Sequence, residues 1–358
     1  MTKEFLFKKK NTTWLKYSTL TLCFILISVL ILFFMYKTEF PRKTGPDISG
    51  ELPSLTFSAI LPFAVGGDHA FIKTEWINAN PWTEDAKLST LPVFERPFTY
   101  AENHPTPQAD AEASKSLIIH AARSLGQAPG QLEIRNGISH LGTNTEDMTI
   151  SVDYTLTTSI SLKTPVALPD KYNISSDSTY EDKQKAAKYL RKTYKDLINM
   201  SKPKINITDE YSASDLTISF YEGKGDLVDQ IINYNFNRIV FYGNDEGELH
   251  FIRKYQPHLS HKIGDYPVIS VEEAKALLAA GNYYDVGALP FPGEKYPEGD
   301  FPGLDSVKMV ELVYKPTTNY NIYIPFYCFY AGDLYYVPAI EPQYITNMPV
   351  NGYFPEVE

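Results

Sequence analysis

Asn321-Ile-Tyr-Ile-Pro-Phe-Tyr-Cys-Phe-Tyr330 reads as one β-strand, and its alternation sets the class of fold expected of this chain. Ile322, Ile324, Phe326 and Cys328 fall on one side of a period-two strand, and Tyr323, Tyr327 and Phe329 fall on the other. Both sides are apolar or aromatic. One side must pack on a helix, and the other faces a neighbouring domain or a partner. Tyr335 and Tyr336, on the strand expected next, extend the aromatic surface. Tyr joins a large apolar area to a polar tip, which makes Tyr323, Tyr327, Phe329, Tyr335 and Tyr336 the candidate interaction surface. Packing within the same chain explains these residues equally well. Pro325 cannot donate to a ladder, so the strand is expected at an edge or a bulge.

Working outward from this strand, the chain repeats one order, a helix followed by strands. Ahead of it a helix over 270–280 opens at Ser270, carries Glu273 in capping-box spacing and stops at Gly281. Strands are expected at 307–314 and 334–337. The strongest helical pattern covers 179–200, where Ala187, Leu190, Tyr194, Leu197 and Ile198 share a face behind Ser178 and Glu181. Strands at 215–221, 238–242 and 248–254 follow it, with a short helix at 226–236. An earlier helix over 110–125 shows Leu117, Ile118, Ala121 and Leu125 on one face and Gly126 at its stop. It is followed by strands at 131–138 and 148–162. A further strand is expected at 55–63. The expected class is α+β: one transmembrane helix, then an ectodomain of helix-plus-antiparallel-sheet units at 54–170, 171–263 and 264–358.

The membrane helix is expected at 17–36. Lys16 and Lys37 bracket twenty residues without a charge, Tyr17 to Tyr36. At about 1.5 Å per residue such a helix spans a hydrocarbon layer of roughly 30 Å. A signal peptide has a shorter apolar core and a small-residue cleavage site, and neither is present. Cys23 reads as an apolar residue of this run. Lys3, Lys8, Lys9, Lys10 and Lys16 precede it, against Lys37, Arg42 and Lys43 after it. The positive-inside bias therefore places 1–16 in the cytoplasm as a short tail, 37–53 as a linker, and the bulk of the chain outside the cell membrane.

A formal net charge of −10 argues against a nucleic-acid partner, which requires a basic face. With only two Cys in the chain, a disulfide framework and a Cys-based zinc site are both excluded. Such cysteine usage in an ectodomain points to a Gram-positive surface. No nucleophile elbow, H-E-x-x-H, phosphate loop or dinucleotide fingerprint occurs, so the expectation is a protein without catalytic residues and without a cofactor. Cys328, among aromatics, reads as buried and inert. His250, His258 and His261, with Asp265 the close carboxylate, lie in a polar connector and are read as solvated rather than metal-binding. Asp68-His69 reads as a turn. Asp245-Glu246 and Glu272-Glu273 read as a hairpin tip and a helix N-terminus.

The third unit resembles the C-terminal domain of the membrane-anchored YycH/YycI regulators and, more loosely, PepSY-type modules. The matching residues are Val268-Ile-Ser-Val-Glu-Glu-Ala-Lys-Ala-Leu-Leu, Val310-Glu-Leu-Val-Tyr, Tyr323-Ile-Pro-Phe-Tyr and Tyr335-Tyr-Val-Pro-Ala-Ile. The resemblance implies an extracytoplasmic regulator that binds a membrane or envelope protein, such as a sensor histidine kinase. A surface module for peptide or cell-wall ligands is the second reading, and an envelope hydrolase the third.

Overall fold

The computed structural model describes residues 51–57, 79–95, 108–135, 138–174, 178–208, 217–244, 246–257, 259, 261–285, 301–317 and 322–352. All of these except Glu51 belong to one compact unit, Leu52–Glu358. In chain order the elements are β1 (Thr90–Glu95), α1 (Ala111–Ser124), β2 (Glu133–Arg135), β3 (His140–Asn144), β4 (Met148–Asp153) and β5 (Thr158–Ala167). Then come α2 (Tyr180–Thr193), α3 (Lys195–Ile198), β6 (Pro203–Thr208), β7 (Thr217–Glu222), α4 (Leu227–Phe236), β8 (Arg238–Gly243) and β9 (Glu248–Tyr255). The last are β10 (His261–Pro267), α5 (Val271–Ala279), β11 (Tyr284–Asp285), β12 (Met309–Thr317), β13 (Ile322–Tyr330) and β14 (Leu334–Pro338).

The strands form two antiparallel sheets. The large, eight-stranded sheet has the order β2-β3-β4-β5-β9-β8-β7-β6. The small, six-stranded sheet runs β10-β1-β13-β14-β11, with β12 along the other side of β13. This corrects the expected class. The described residues are mostly antiparallel sheet with few helices, and the α+β description holds only in part. Nor do the sheets follow successive stretches of chain. Strand β5 pairs with β9, and β1 pairs with both β10 and β13, so each sheet draws strands from distant segments. Neighbours in sequence are usually neighbours in space, and the expected units rested on that tendency. No helix among the described residues is long and apolar enough to cross a membrane. The run at 17–36, Cys23 and Asp68-His69 lie outside the described residues, as does most of the strand expected at 55–63.

The helices start where the sequence supplies caps. Asp110 accepts from Ala113 N, Thr179 from Asp182 N, and Asp226 and Ser270 each form a reciprocal capping box, with Asp229 and Glu273. The 179–200 helix is capped one residue later than expected and breaks at Tyr194, which separates α2 from α3. The strand expected at 148–162 also breaks. Asp153 Oδ1 accepts the N–H groups of Thr155 and Thr157, and Leu156 takes a positive φ of 58° with its side chain buried. This local side-chain turn converts one long strand into the β4–β5 hairpin.

One face of the large sheet, its inner face, is covered by helices. Ile150, Ile160, Ile252, Ile239, Phe241, Ile218 and Phe220 pack beneath Ile118, Ala121, Ala187, Leu190 and Leu197. Burying an aliphatic or Phe side chain of this kind contributes about 1.5–3 kcal/mol. The small sheet is buried on both faces. Leu312, Tyr314, Tyr323, Tyr327, Phe329 and Val337 face Ile231 and Phe236 of α4 and Val271, Ala274 and Leu278 of α5. Val93, Tyr266, Ile324, Phe326, Cys328 and Tyr336 meet Leu55, Phe57, Ile340 and Ile345 on the other side. Helix α4 joins the sheets. Its Tyr234 stands edge-on to Tyr221 of β7 at 5.2 Å, while its Phe236 packs on Phe94, Tyr314 and Tyr323.

Contrary to expectation, Pro325 lies in a central strand. It pairs with Tyr314, whose N–H points away from β13 to Asn235 Oδ1. The pair is therefore a non-hydrogen-bonded one, and the missing proline N–H falls on the side where β13 changes neighbour from β1 to β14. A proline there costs the ladder no bond.

Candidate functional site

The five aromatic residues of the expected interaction surface are core residues. Tyr323, Tyr327, Phe329, Tyr335 and Tyr336 are each at most 8% exposed. Tyr327 donates its hydroxyl to Ile269 O at 2.8 Å, and Trp82 lies over its ring at 5.3 Å. Burial raises the Tyr327 hydroxyl above its ordinary range, and that of Tyr335 to about 12. The strand lacks a surface because its two faces are claimed by different parts of the same unit. Cys328 is buried beside Glu311, its cross-strand partner.

The other sequence-derived candidates are scattered. His261 opens β10 in the small sheet, exposed, and Asp265 pairs with Lys262 on the same strand. His250 belongs to the large sheet, where the register passes from Tyr242↔Phe251 to Gly243↔Leu249 and leaves His250 as the extra residue of a bulge. Its Nδ1 is buried without a hydrogen-bond partner. His258 and Asp245 lie outside the described residues. Glu273 is part of the α5 capping box, bonded to both N and Oγ of Ser270.

What the sequence did not single out is the outer face of the large sheet. Alternation places Thr149, Ser151 and Asp153 of β4 on this side, with Ser159 and Ser161 of β5 and Phe251, Arg253 and Tyr255 of β9. Ser151 lies directly across from Ser159, and Ser159 across from Arg253. In the next row Thr149 faces Ser161, and Ser161 faces Phe251. These residues are half-buried or exposed, whereas Val240, Tyr242, Thr217, Ser219 and Asn206, further along the same face, are buried. The Arg253 guanidinium lies 5.2 Å from the Phe251 ring centre, and that of Arg238 lies 4.6 Å from Tyr255. The half-exposed part of the face thus carries rows of hydroxyls ending on two cation–aromatic pairs. Its signal in the sequence is the polar half of the alternation whose apolar half, Ile150 and Val152, marks the core.

A second feature lies inside. Lys254 of β9 is 4% exposed on the inner face, and desolvation pushes its ammonium down to about 8. Its Nζ donates to Leu197 O at 2.7 Å. Burial, and to a lesser degree the nearby Lys254 charge, lowers the pKa of His120 on α1, and Asp196 opposes that shift.

No family model and no curated protein matches the chain. Among solved structures it is similar to an uncharacterized protein from Eubacterium rectale, at 9% identity and a TM-score of 0.31, over 76% of this chain and 86% of that one. The functional reading therefore rests on the residues of this chain.

Proposed function

We propose that this chain is a membrane-tethered, extracytoplasmic and non-enzymatic protein-binding module, and that it meets its partner through the outer face of the large sheet. The observation that supports this most is the half-exposed stripe of Ser151, Ser159 and Arg253 beside Phe251 and Tyr255. Arg and Tyr are enriched in protein interfaces, and hydroxyls on a sheet backed by packed helices are ordered before binding. The uncharged run at 17–36 and the lysines ahead of it support the tether and its orientation. The likeness of the third unit to YycH/YycI regulators supports a membrane or envelope protein, such as a sensor kinase, as the partner. Burial of Tyr323, Tyr327, Phe329, Tyr335 and Tyr336 moves the proposed contact from the small sheet to the large one.

The test is an in-cell crosslink and pull-down with the full chain. It is run beside a Ser159→Arg variant and a version whose residues 17–36 are replaced by a foreign span. Loss of a signalling or envelope protein with S159R is the expected result. Recovery of the same partner by S159R, with loss only on span replacement, would put the contact in the membrane and overturn the outer-face assignment. Recovery of wall material alone would favour the peptide or wall-ligand reading.

A further inference from the structure

Beneath α1 and α3 the apolar core of the large sheet is interrupted by charge. Lys254 stands on the inner face of β9, with Thr158 and Ile239 as its cross-strand neighbours and Ile252 two residues away on the same face. Among the described residues it has no carboxylate partner, and its bond to Leu197 O holds it against the last turn of α3. An isolated ammonium in such a place is costly, and a hydrophobic residue of its length would fill the space more stably.

His120 reaches the same region from α1. Its Nε2 is buried and has no hydrogen-bond partner. The charged groups acting on it are Lys254 from the sheet and Asp196 from α3. Strands β3 and β4, which α1 also covers, present Leu141, Thr143, Met148, Ile150 and Val152 on this face, none of which titrates. Helix α1 is tied to α3 at one further point, where Ser124 Oγ donates to Asp196 O at 3.3 Å. Its buried residues are small, apart from Ile118: Ser114, Ala121 and Ala122.

We propose that His120 and Lys254 form an acid-sensitive latch, in which a proton on His120 sets a second cation beside the buried ammonium and releases α1 from the inner face of the large sheet. Asp196 is the one carboxylate acting on His120, and both the His120 Nε2 and the Lys254 side chain are buried while α1 stays in place. At neutral pH the imidazole is uncharged and the helix is held. Below the ordinary histidine range the imidazole charges more readily with α1 lifted than with it seated, so acid shifts the balance to the open form. Release uncovers Leu141, Ile150 and Val152, an apolar strip beside the edge strand β2.

The experiment is hydrogen exchange on the full chain at about pH 7.5 and about pH 5.5, corrected for the intrinsic pH dependence of exchange. Amides of α2, which covers the same sheet without a buried His, serve as the internal control. Wild type should lose protection in α1 on acidification by several-fold, with a ceiling of about tenfold for an imidazole that titrates at about 6.5 once α1 is lifted, and with α2 unchanged. His120→Gln should keep α1 protected at both pH values. Lys254→Met should lose less protection than wild type, and this holds as a test even if H120Q does not fold. Equal loss in wild type and in a folded H120Q overturns the latch, as does equal loss in wild type and K254M. So does loss of α1 and α2 protection together.

Discussion

The side-chain oxygen of Asn235 accepts the backbone N–H of Tyr314 at 2.9 Å, from the open side of the edge strand β12. Two residues earlier on the same side, Asn80 Nδ2 donates to Leu312 O at 2.9 Å. Two amides from distant parts of the chain thus occupy the ladder positions that another strand would take, which is one way a protein closes a sheet edge. Asn235→Leu should leave the Tyr314 N–H buried without a partner and cost about 1–3 kcal/mol in urea unfolding. Because the same change reopens the edge, it should also raise light scattering at high protein concentration. Unchanged stability together with unchanged scattering would show that the edge needs no cover.

Lys254 makes a prediction of unusual sign. Its pKa falls from 10.5 to about 8 on folding, so the unfolded chain binds the proton more tightly. The penalty on the folded state is complete below about pH 8 and is relieved as pH rises from there to the unfolded value. A shift of that size corresponds to about 3 kcal/mol, offset in part by the bond to Leu197 O that Lys254→Met would remove. K254M should accordingly be as stable as wild type or more stable near pH 7, and the comparison should move in favour of wild type by about pH 10. Chemical denaturation at the two pH values checks this. A constant gap would mean that the lysine is not desolvated.

Glu311 is 4% exposed and receives two tyrosine hydroxyls of unequal quality. Tyr330 donates to Oε2 at 2.6 Å from the neighbouring strand, and Tyr234 reaches Oε1 from α4 at 3.5 Å. Short bonds to charged groups contribute about 1.5–3 kcal/mol, and bonds near the distance limit contribute little. Tyr330→Phe should therefore cost about 2 kcal/mol and Tyr234→Phe clearly less, by the midpoint of urea unfolding. The reverse ranking would show that α4 relies on the carboxylate more than β13 does.

Much of the local structure is legible in the sequence, because it depends on residues close together in the chain. Ser270 with Glu273 announces α5, and the stripe through Ile118 and Ala121 announces α1. The period of β13 is correct as read, with Ile324, Phe326 and Cys328 on one face and Tyr323, Tyr327 and Phe329 on the other. Pairing is another matter. Nothing near Ser159 states that Arg253 will lie beside it, since that choice is made by the whole sheet. For the same reason the aromatic face of β13 could not be assigned to solvent or core until α4 and α5 were placed. The interior Lys254 left a faint trace, a lysine on the same parity as Ile252. His120 left a similar one, a polar residue next to the buried stripe of α1.

The outer-face assignment makes its sharpest prediction at Arg253. The guanidinium combines a planar fork of donors with a face that packs on Phe251, and lysine keeps only the charge. If the partner contact uses the fork, Arg253→Lys should weaken partner capture nearly as much as Arg253→Ala, by about tenfold or more. If charge alone attracts the partner, Arg253→Lys should bind almost as wild type, and both should weaken steeply with added salt. Lys188 on the exposed side of α2 lies across the sheet from this face, so Lys188→Ala should leave capture unchanged. Thermal unfolding of each variant separates binding from folding, because Arg253→Ala also uncovers the Phe251 ring and will cost some stability. Capture that stays at the wild-type level in both Arg253 variants, with the fold intact, would remove the outer face from the interface.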